Sequence, residues 1–191
     1  MVLEGHDRET GESLQTGGSL KTIEACRRGD RDAFRALFET HQDRVYSIAL
    51  RYTGERARAL DIAQDVFVKL LHNIGDFRGE SGFETWLYRM VVNRCLDERR
   101  SAHRLMGLVG DLFARADEAS ALDAMLRSEM QERVQRAVAL LPPEQRIVVV
   151  LRYTEGLSYD EIARVAGVSS GTVASRLNRA HKFLEKKLKR L

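Results

Sequence analysis

Apolar residues recur at intervals of three and four from Leu20 to about Arg104, the spacing of amphipathic helices. Gly29 and Gly54 interrupt this pattern where helices should end, and Asp30 stands where it can cap the next helix. The positions that we expect to be buried are Phe34, Leu37, Phe38, Val45, Ile48, Ala49 and Tyr52 in one helix, and Ile62, Val66, Phe67, Leu70 and Leu71 in the next.

A glycine-bearing loop, GDFRGESGFETW, then leads into another helix, FETWLYRMVVNRCLDERR. Ser81 and Glu84 have the spacing of a capping box at its start. The helical pattern resumes near Ser128, and the inward positions there are Val134, Ala137, Val138 and Leu141.

Pro142 and Pro143 stand where proline is tolerated, at the start of a helix. The segment that follows, RIVVVLRY, is the one stretch whose β-branched residues could favour a strand. We favour a helix, because the proline start and the turn EGLS frame a segment of helical length. The sequence therefore predicts an all-α fold: two small helical domains joined by a flexible linker, the second containing a helix-turn-helix.

Composition shifts set the expected boundaries. Residues 1–18 are polar and glycine-rich, and we expect a flexible tail there. Residues 19–106 form the first expected domain, residues 107–127 an acidic linker, and residues 128–191 the second domain.

The segment LSYDEIARVAGVSSGTVASRLNRA has the pattern of a helix-turn-helix. Ser158 and Glu161 can form a capping box, Gly167 suits the tight turn beside the small Ala163, and Ser169 can cap the second helix. We expect the inward residues to be Ile162, Val165 and Ala166 in the first helix, and Val173, Leu177, Ala180, Leu184 and Leu188 in the second.

The outward side of the second helix is basic. Residues 174–191 hold seven Lys or Arg against Glu185 alone, although the whole chain of 191 residues has a net charge of only +3. A helix with short polar and arginine side chains suits the major groove of DNA. The alternative is a solvated amphipathic helix whose basic end favours the helix dipole.

Aromatic and basic residues alternate around the start of FETWLYRMVVNR. Aromatic faces stack on unpaired bases while arginines hold phosphates, and a glycine-bearing loop could receive an extruded base. The alternative, equally supported by the residues alone, is that Phe83 and Trp86 are core residues of a small helical domain.

The cysteines, the histidines and the lack of catalytic motifs argue against a metal site and against an enzyme. Cys26 and Cys95 stand apart without a CxxC motif, and the five histidines lack metal-ligand spacing. There is no phosphate-cradling GxxxxGK and no nucleophile with a recognisable base. We expect a cytoplasmic protein that is not an enzyme and needs no metal or cofactor.

Together, DIAQDVFVKLL, FRGESGFETWLYRMVVNRCLDERRSAHR and the helix-turn-helix segment resemble the extracytoplasmic-function (ECF) group of bacterial RNA polymerase sigma factors over residues 20–191. The resemblance implies a sigma region 2 domain that binds core polymerase and opens the minus-ten promoter element, and a sigma region 4 domain that reads the minus-thirty-five element. The acidic linker resembles segments that run through the enzyme's RNA path.

The resemblance also implies roles for individual residues. Core polymerase would be bound by Asp61, Gln64, Asp65 and Phe67. Minus-ten DNA would be bound by Phe77, Arg78, Phe83, Trp86, Tyr88, Arg89, Asn93 and Arg94. Minus-thirty-five DNA would be bound by Ser169, Ser170, Thr172, Ser175, Arg176, Asn178, Arg179 and Lys182.

The implied partners are promoter DNA, the clamp of the largest polymerase subunit, the flap of the second-largest, and an anti-sigma factor. No small-molecule substrate is implied, and the unbound chain would be a monomer. Ala174 departs from relatives that often carry Lys or another polar residue there, which puts one DNA contact in doubt. Cys95 lies in the minus-ten helix, where a redox switch is conceivable but a buried free thiol is the stronger interpretation.

Two other function classes stay open at this point. An autonomous helix-turn-helix repressor or activator would bind a palindrome as a dimer, without polymerase. An enzyme acting on nucleic acid is the third class, and the sequence offers it no motif.

Overall fold

The computed structural model describes residues 20–106 and 129–189, with backbone alone for residues 99–106. Every regular element in these two ranges is helical. The predicted tail, residues 1–18, and the predicted linker, residues 107–127, lie outside them. The α-helices are α1 (Leu20–Arg27), α2 (Arg31–Thr53), α3 (Arg56–Asn73), α4 (Phe83–Met106), α5 (Glu129–Ala139), α6 (Pro143–Thr154), α7 (Tyr159–Ala166) and α8 (Ser170–Leu188), with a 3₁₀ turn at Ile74–Asp76.

The N-terminal unit, α1–α4, is built around the pairing of α2 with α3. Asp30 caps α2 by accepting hydrogen bonds from the backbone N–H groups of Asp32 and Ala33, at 2.9 and 3.1 Å. Gly54 ends α2 in the left-handed conformation at φ 75°, and its N–H donates to the carbonyl of Leu50. The predicted start and stop of this helix are confirmed, because both signals act within one helical turn.

The C-terminal unit, α5–α8, confirms the helical interpretation of RIVVVLRY. Pro143 opens α6, and the β-branched run from Ile147 to Val150 is buried within it. Those residues pack against α8 and α7. The burial of this run explains why it is rich in β-branched residues. Its composition reflects packing in the core and does not indicate a strand.

The prediction of burial is wrong for three residues. Leu71 is 53% exposed, Val134 is 39% exposed, and Phe38 is 37% exposed. Leu71 lies on the outer face of α3, at the edge of its apolar stripe. That stripe is wider than the surface that α3 buries against its neighbours. Val134 lies in the middle of α5, and the buried residues of that helix, Ala137 and Val138, come after it.

The two units are in contact: α4 packs on α7, and α2 and α4 pack on α6. Arg146 of α6 is 5% exposed and donates to the carbonyl of Tyr52, 94 residues earlier, at 3.1 Å. Its guanidinium also lies 5.3 Å from the centre of the Tyr52 ring. Gln135 of α5 donates to the carbonyl of Arg51 at 2.9 Å. The C-terminal unit thus satisfies carbonyls at the end of α2 that the helix itself leaves unpaired.

Candidate functional site

The helix-turn-helix is formed by α7 and α8, and its local geometry is the predicted one. The backbone N–H of Ser158 donates to the carboxylate of Glu161 at 2.8 Å, while the N–H of Glu161 donates to the Ser158 hydroxyl at 3.3 Å. Gly167 ends α7 at φ 67°, and its N–H donates to the carbonyl of Ala163. Ser169 then caps α8. The capping box, the glycine turn and the second cap are all confirmed, and they fix how α8 leaves α7.

The predicted minus-thirty-five residues occupy the outer side of α8. Its inner side is held by Val173, Leu177 and Ala180, all buried. At the outer side, Ser169, Ser175, Asn178, Arg179 and Lys182 are exposed, and Ser170, Thr172 and Arg176 are partly so.

Polar contacts engage the first of these residues. The hydroxyls of Ser169 and Thr172 lie 2.9 Å apart, and Ser170 bonds to Asp160. These three side chains therefore brace the start of α8. The positions best placed for base edges and phosphates are Ser175, Asn178, Arg179 and Lys182.

An aromatic cluster forms the minus-ten candidate surface at the start of α4. The ring of Phe77 lies 5.2 Å from Trp86 and 5.8 Å from Phe83. Phe77 and Phe83 are each 6% exposed, whereas Trp86 is half-buried. The two phenylalanines are therefore core residues that support the loop, and the indole is the aromatic face that remains accessible.

A cleft of about 290 Å³ opens between this loop and α4. Trp86 forms an aromatic wall, while Arg78 and Arg89 contribute cations. The remaining lining residues are Asp76, Phe77, Gly79, Glu80 and Ser81. An aromatic wall next to guanidinium groups suits an unpaired base with its phosphate.

The other predicted minus-ten residues differ in how far they are exposed. Asn93 is exposed on α4, but Tyr88 is only 1% exposed. Arg94 is half-buried, with nitrogen atoms 2.6 Å from carboxylate oxygens of both Asp65 and Glu98. Arg94 thus links the minus-ten helix to the predicted polymerase face on α3.

The predicted capping box at the start of α4 differs in the structure. The helix begins at Phe83, which leaves Ser81 one residue too early for the cap position. Glu84 is 2% exposed, and its carboxylate lies 3.4 Å from the Arg44 guanidinium of α2. A tertiary ion pair has replaced the local cap, and spacing alone could not distinguish the two.

The predicted polymerase face on α3 presents Asp61, Gln64 and Asp65 to solvent. Phe67 lies on the inner side: it is 6% exposed and packs edge-to-face on Phe38 with ring centres 4.7 Å apart. It can support this face but lies beneath it.

Sequence reasoning missed an apolar part of the same face. Leu60, Val68 and Leu71 are 59%, 48% and 53% exposed, and they lie on α3 beside the acidic residues. The signal was present in the sequence, since positions 60, 64, 68 and 71 fall on one side of a helix. An apolar stripe edged with carboxylates suits a partner surface that is both apolar and basic.

A polar cluster made of Arg44, Glu84, Tyr88 and Glu155 lies where the two units meet. The Tyr88 hydroxyl and the Glu155 carboxylate are 3.4 Å apart, a long contact. Burial raises the pKa of the Glu84 and Glu155 carboxyls, and the nearby Arg44 cation only partly offsets this. The pKa of Tyr88 is also raised, mainly by burial. The cluster is therefore costly to keep fully charged.

The cysteines are buried and free. Burial raises the pKa of the Cys95 thiol to about 12, because the nearby Arg94 compensates only in part. Burial likewise raises the pKa of Cys26. A thiol that stays protonated at neutral pH is a poor redox sensor, which favours the packing role for Cys95.

The two halves of the chain match two family models. The model for sigma-70 region 2 matches residues 37–105, and the model for sigma-70 region 4 matches residues 131–184. Among the residues that the structure describes, no helix is both long and apolar enough to cross a membrane.

Curated relatives match over nearly their whole length. The RNA polymerase sigma-H factor of Pseudomonas aeruginosa is 36% identical over 88% of this chain and 93% of its own. The ECF RNA polymerase sigma factor SigW of Bacillus subtilis is 32% identical over 90% of this chain and 97% of its own.

Solved structures with the same fold include CnrH in complex with the cytosolic domain of CnrY. It superposes with a TM-score of 0.68 at 27% identity, covering 88% of this chain and 96% of that one. The sigma factor RpoE of Bartonella quintana, solved with the anti-sigma factor NepR, gives 0.69 at 23% identity over 82% and 96%. The latter likeness speaks for the fold alone.

Proposed function

Because the chain belongs to the ECF group of RNA polymerase sigma factors, we propose how its surfaces divide the work of promoter recognition. The chain binds core RNA polymerase and directs transcription from promoters whose two elements it reads, without catalysing a reaction itself. The observation that carries this division is that each unit presents a separate surface suited to DNA: the outer side of α8, and the cleft beside Trp86.

The outer side of α8 reads the minus-thirty-five element as a duplex. Asn178 and Ser175 supply short polar groups for base edges, while Arg179 and Lys182 supply cations for bases or phosphates. Ala174, half-buried on the same helix, offers a methyl group instead of a polar contact.

The cleft at α4 receives an unpaired base of the minus-ten element. Stacking on Trp86 and contact with Arg78 and Arg89 would compensate for the lost base stacking, which costs a few kcal/mol. Phe77 and Phe83 act indirectly, by holding the indole in place.

The outer face of α3 docks on the polymerase clamp. Its carboxylates steer a basic partner, and the exposed leucines supply apolar area for the contact. The C-terminal unit contacts the polymerase flap.

An anti-sigma factor is a further proposed partner. Support comes from the structural relative CnrH, which shares 27% identity with this chain and was solved in complex with a second protein, the cytosolic domain of CnrY.

Run-off transcription with purified core polymerase tests the proposed function. We expect promoter-dependent transcripts from a library of genomic fragments only when the chain is present. Absence of any such transcript with intact protein and active core would contradict the proposal. Tight binding of a palindromic operator as a dimer without polymerase would instead support an autonomous regulator.

A salt titration tests the assignment of α8. Replacing Arg179 and Lys182 with Ala should lower the slope of log affinity against log salt by about 2 on minus-thirty-five duplex DNA, because two phosphate counterions are no longer released. Lys189→Ala is the control, since Lys189 is an exposed cation at the C-terminal end of α8, seven residues beyond Lys182, and pairs with Glu185. An equal change in the control would argue against this surface.

A further inference from the structure

Arg94 of α4 is held between two carboxylates. Its Nε donates to Oδ2 of Asp65 on α3, and its Nη1 donates to Glu98 one turn later on α4, both at 2.6 Å. Short hydrogen bonds between opposite charges are strong, and the rigid plane of a guanidinium allows one arginine to hold two partners at once. The side chain of Arg94 is only 18% exposed, so this pairing also compensates for its burial.

The pairing makes Arg94 a poor ligand for DNA. One guanidinium supplies one positive charge and the two carboxylates supply two negative charges, so the three groups together are net negative. A DNA phosphate would meet that negative charge, or would have to displace a carboxylate from a half-buried cation. Arg78 and Arg89 of the minus-ten cleft differ, because both are exposed. Those two cations suit phosphates, and Arg94 does not.

The same pairing fixes the Asp65 carboxylate. An exposed aspartate samples several rotamers, whereas Asp65 is bonded to a guanidinium that Glu98 holds from the other side. Asp65 nevertheless remains 51% exposed. The bond from Arg94 occupies Oδ2, and a carboxylate has a second oxygen that can accept from another donor. Arg94 therefore orients Asp65 and leaves it accessible to a basic partner.

Asp65 belongs to the face that α3 presents to solvent. Asp61 lies one turn earlier on the same side, and both carboxylates are exposed. A partner that docks across this face gains affinity when a carboxylate is already in its bound geometry, because less side-chain entropy is lost on binding. A residue that fixes the carboxylate thus contributes to affinity without touching the partner.

We propose that Arg94 is a positioning residue of the polymerase face: it orients the Asp65 carboxylate for core RNA polymerase and does not contact minus-ten DNA. Glu98 acts one step further back, because it holds Arg94 in place. This inference rests on the proposed function. It moves Arg94 from the minus-ten DNA residues, where the family resemblance places it, to the surface on the neighbouring helix.

A double-mutant cycle on core binding tests the proposal. Asp65→Asn should weaken the affinity for purified core polymerase about tenfold and Arg94→Gln about threefold, measured by isothermal titration. Both changes together should weaken it no more than Asp65→Asn alone, because Arg94 acts through Asp65. Losses that multiply would mean that Arg94 contacts core itself, and would overturn the proposal. Unchanged or tighter binding by Arg94→Gln would also overturn it, since tighter binding means that Arg94 competes with core for Asp65.

Lys69→Gln is the matched control for charge. It removes one exposed cation a helical turn beyond Asp65 and keeps the bond between Arg94 and Asp65. Core binding should not weaken in this variant, because loss of a cation beside an acidic face does not oppose a basic partner. Equal weakening by Lys69→Gln and Arg94→Gln would assign the effect to charge alone and overturn the proposal.

Arg94→Lys enters the same cycle if circular dichroism shows that Arg94→Gln does not fold. Lysine keeps the charge but lacks the planar fork that holds both carboxylates. Its affinity for core should fall by less than about threefold, and this loss should vanish in the Asp65→Asn background. A loss that persists in that background would overturn the proposal.

The salt dependence of DNA binding separates positioning from a DNA contact. Holoenzyme, assembled at concentrations that saturate core binding in every variant, is titrated onto a single-stranded minus-ten oligonucleotide at several salt concentrations. Arg89→Gln should lower the slope of log affinity against log salt by about 0.7, the share of one phosphate on a single strand. Arg94→Gln should leave the slope unchanged. A fall equal to that of Arg89→Gln would overturn the proposal.

Failure of the proposed function has a different signature. If the wild-type chain did not bind core polymerase, the proposed function would fail, and the role of Arg94 with it. If the wild-type chain binds core and Asp65→Asn loses affinity while Arg94→Gln does not, only the role of Arg94 is overturned.

Discussion

In the C-terminal unit, every signal that starts or stops the helix-turn-helix acts within a few residues of the atoms it satisfies. Ser158 and Glu161 cap each other, and Gly167 closes α7 onto Ala163. In the N-terminal unit, the functional surfaces depend on partners far along the chain. Glu84 pairs with Arg44, 40 residues away, and Arg94 with Asp65, 29 residues away. A local motif can therefore be read from the sequence, whereas an assembled surface requires the structure.

The largest expected effect concerns the assembled face on α3. Asp61→Arg with Asp65→Arg should weaken binding to core polymerase about a hundredfold, about 2.7 kcal/mol, because two attractive charges become repulsive. Isothermal titration with purified core would measure the affinity. Glu39→Arg with Asp43→Arg is the matched control, since it makes the same charge change at the same spacing on exposed positions of α2. Equal losses in both variants would contradict the assignment.

Next in size is the effect of removing the indole from the minus-ten cleft. Trp86→Ala should lower promoter opening about tenfold, because one base loses its stacking partner. Permanganate reactivity of unpaired thymines measures opening, and binding of minus-thirty-five duplex should not change. Trp86→Phe keeps an aromatic face and should recover most of the opening. If it behaved like Trp86→Ala, a role in stacking would be untenable.

A smaller effect compares the two capping motifs directly. Ser158→Ala should lower the free energy of unfolding by about 1 kcal/mol, because the N–H of Glu161 loses its acceptor. Ser81→Ala should change it by less than about 0.5 kcal/mol, because Glu84 is engaged by Arg44 instead. Urea unfolding followed by circular dichroism measures both. Equal losses of unfolding free energy in the two variants would show that Ser81 and Glu84 do form a capping box.

The smallest expected effect is on the pH dependence of the contact between the N-terminal and C-terminal units, called docking here. The pKa of Glu155 is raised in the docked state, mainly by burial and against the opposing charge of Arg44, so docking favours the protonated carboxyl. Docking should therefore weaken as pH rises from the ordinary carboxyl pKa of 4.5 toward the raised value, and level off above it. Energy transfer between fluorophores attached at Glu39→Cys and Glu144→Cys, exposed positions of the two units, would follow this change.

Glu155→Gln is the companion variant for that measurement. It should flatten the pH profile and retain docking at neutral pH, since it removes the charge but keeps the shape. Glu84 and Tyr88 face the same cluster and have raised pKa values. Glu84→Gln measures the share of Glu84, while the Tyr88 hydroxyl stays protonated throughout the carboxyl range. A profile unchanged by Glu155→Gln would assign the pH dependence to another group.

Periodicity and caps sufficed for the all-α fold, the helix-turn-helix and the exposed side of α8. They failed where burial depended on which element lies opposite: Leu71 and Val134 satisfy a helical pattern, but their side chains are 53% and 39% exposed. They failed again for Tyr88, because its burial involves contacts with residues that follow more than 60 positions later. Periodicity reports which side of a helix is apolar, and only the assembled partners decide how much of that side is covered.

The candidate sites divide in the same way. The exposed residues of α8 could be predicted because the helix has one packed side and one outer side. The sequence could not show which aromatic residues of the minus-ten surface are accessible. Phe77, Phe83 and Trp86 are all large aromatic residues close together in the chain, and nothing in the sequence separates buried from exposed. Their ring packing separates two buried supports from one accessible indole.

The bond from Arg146 to the end of α2 also bears on how the protein is made. Translation at about 5–20 residues per second leaves about 5–20 s between synthesis of Tyr52 and that of Arg146, 94 residues later. During that interval the last carbonyls of α2 are hydrated, and the N-terminal unit is present without the helices that later cover α4. A nascent chain therefore exposes to water the side of α4 on which α6 and α7 later pack.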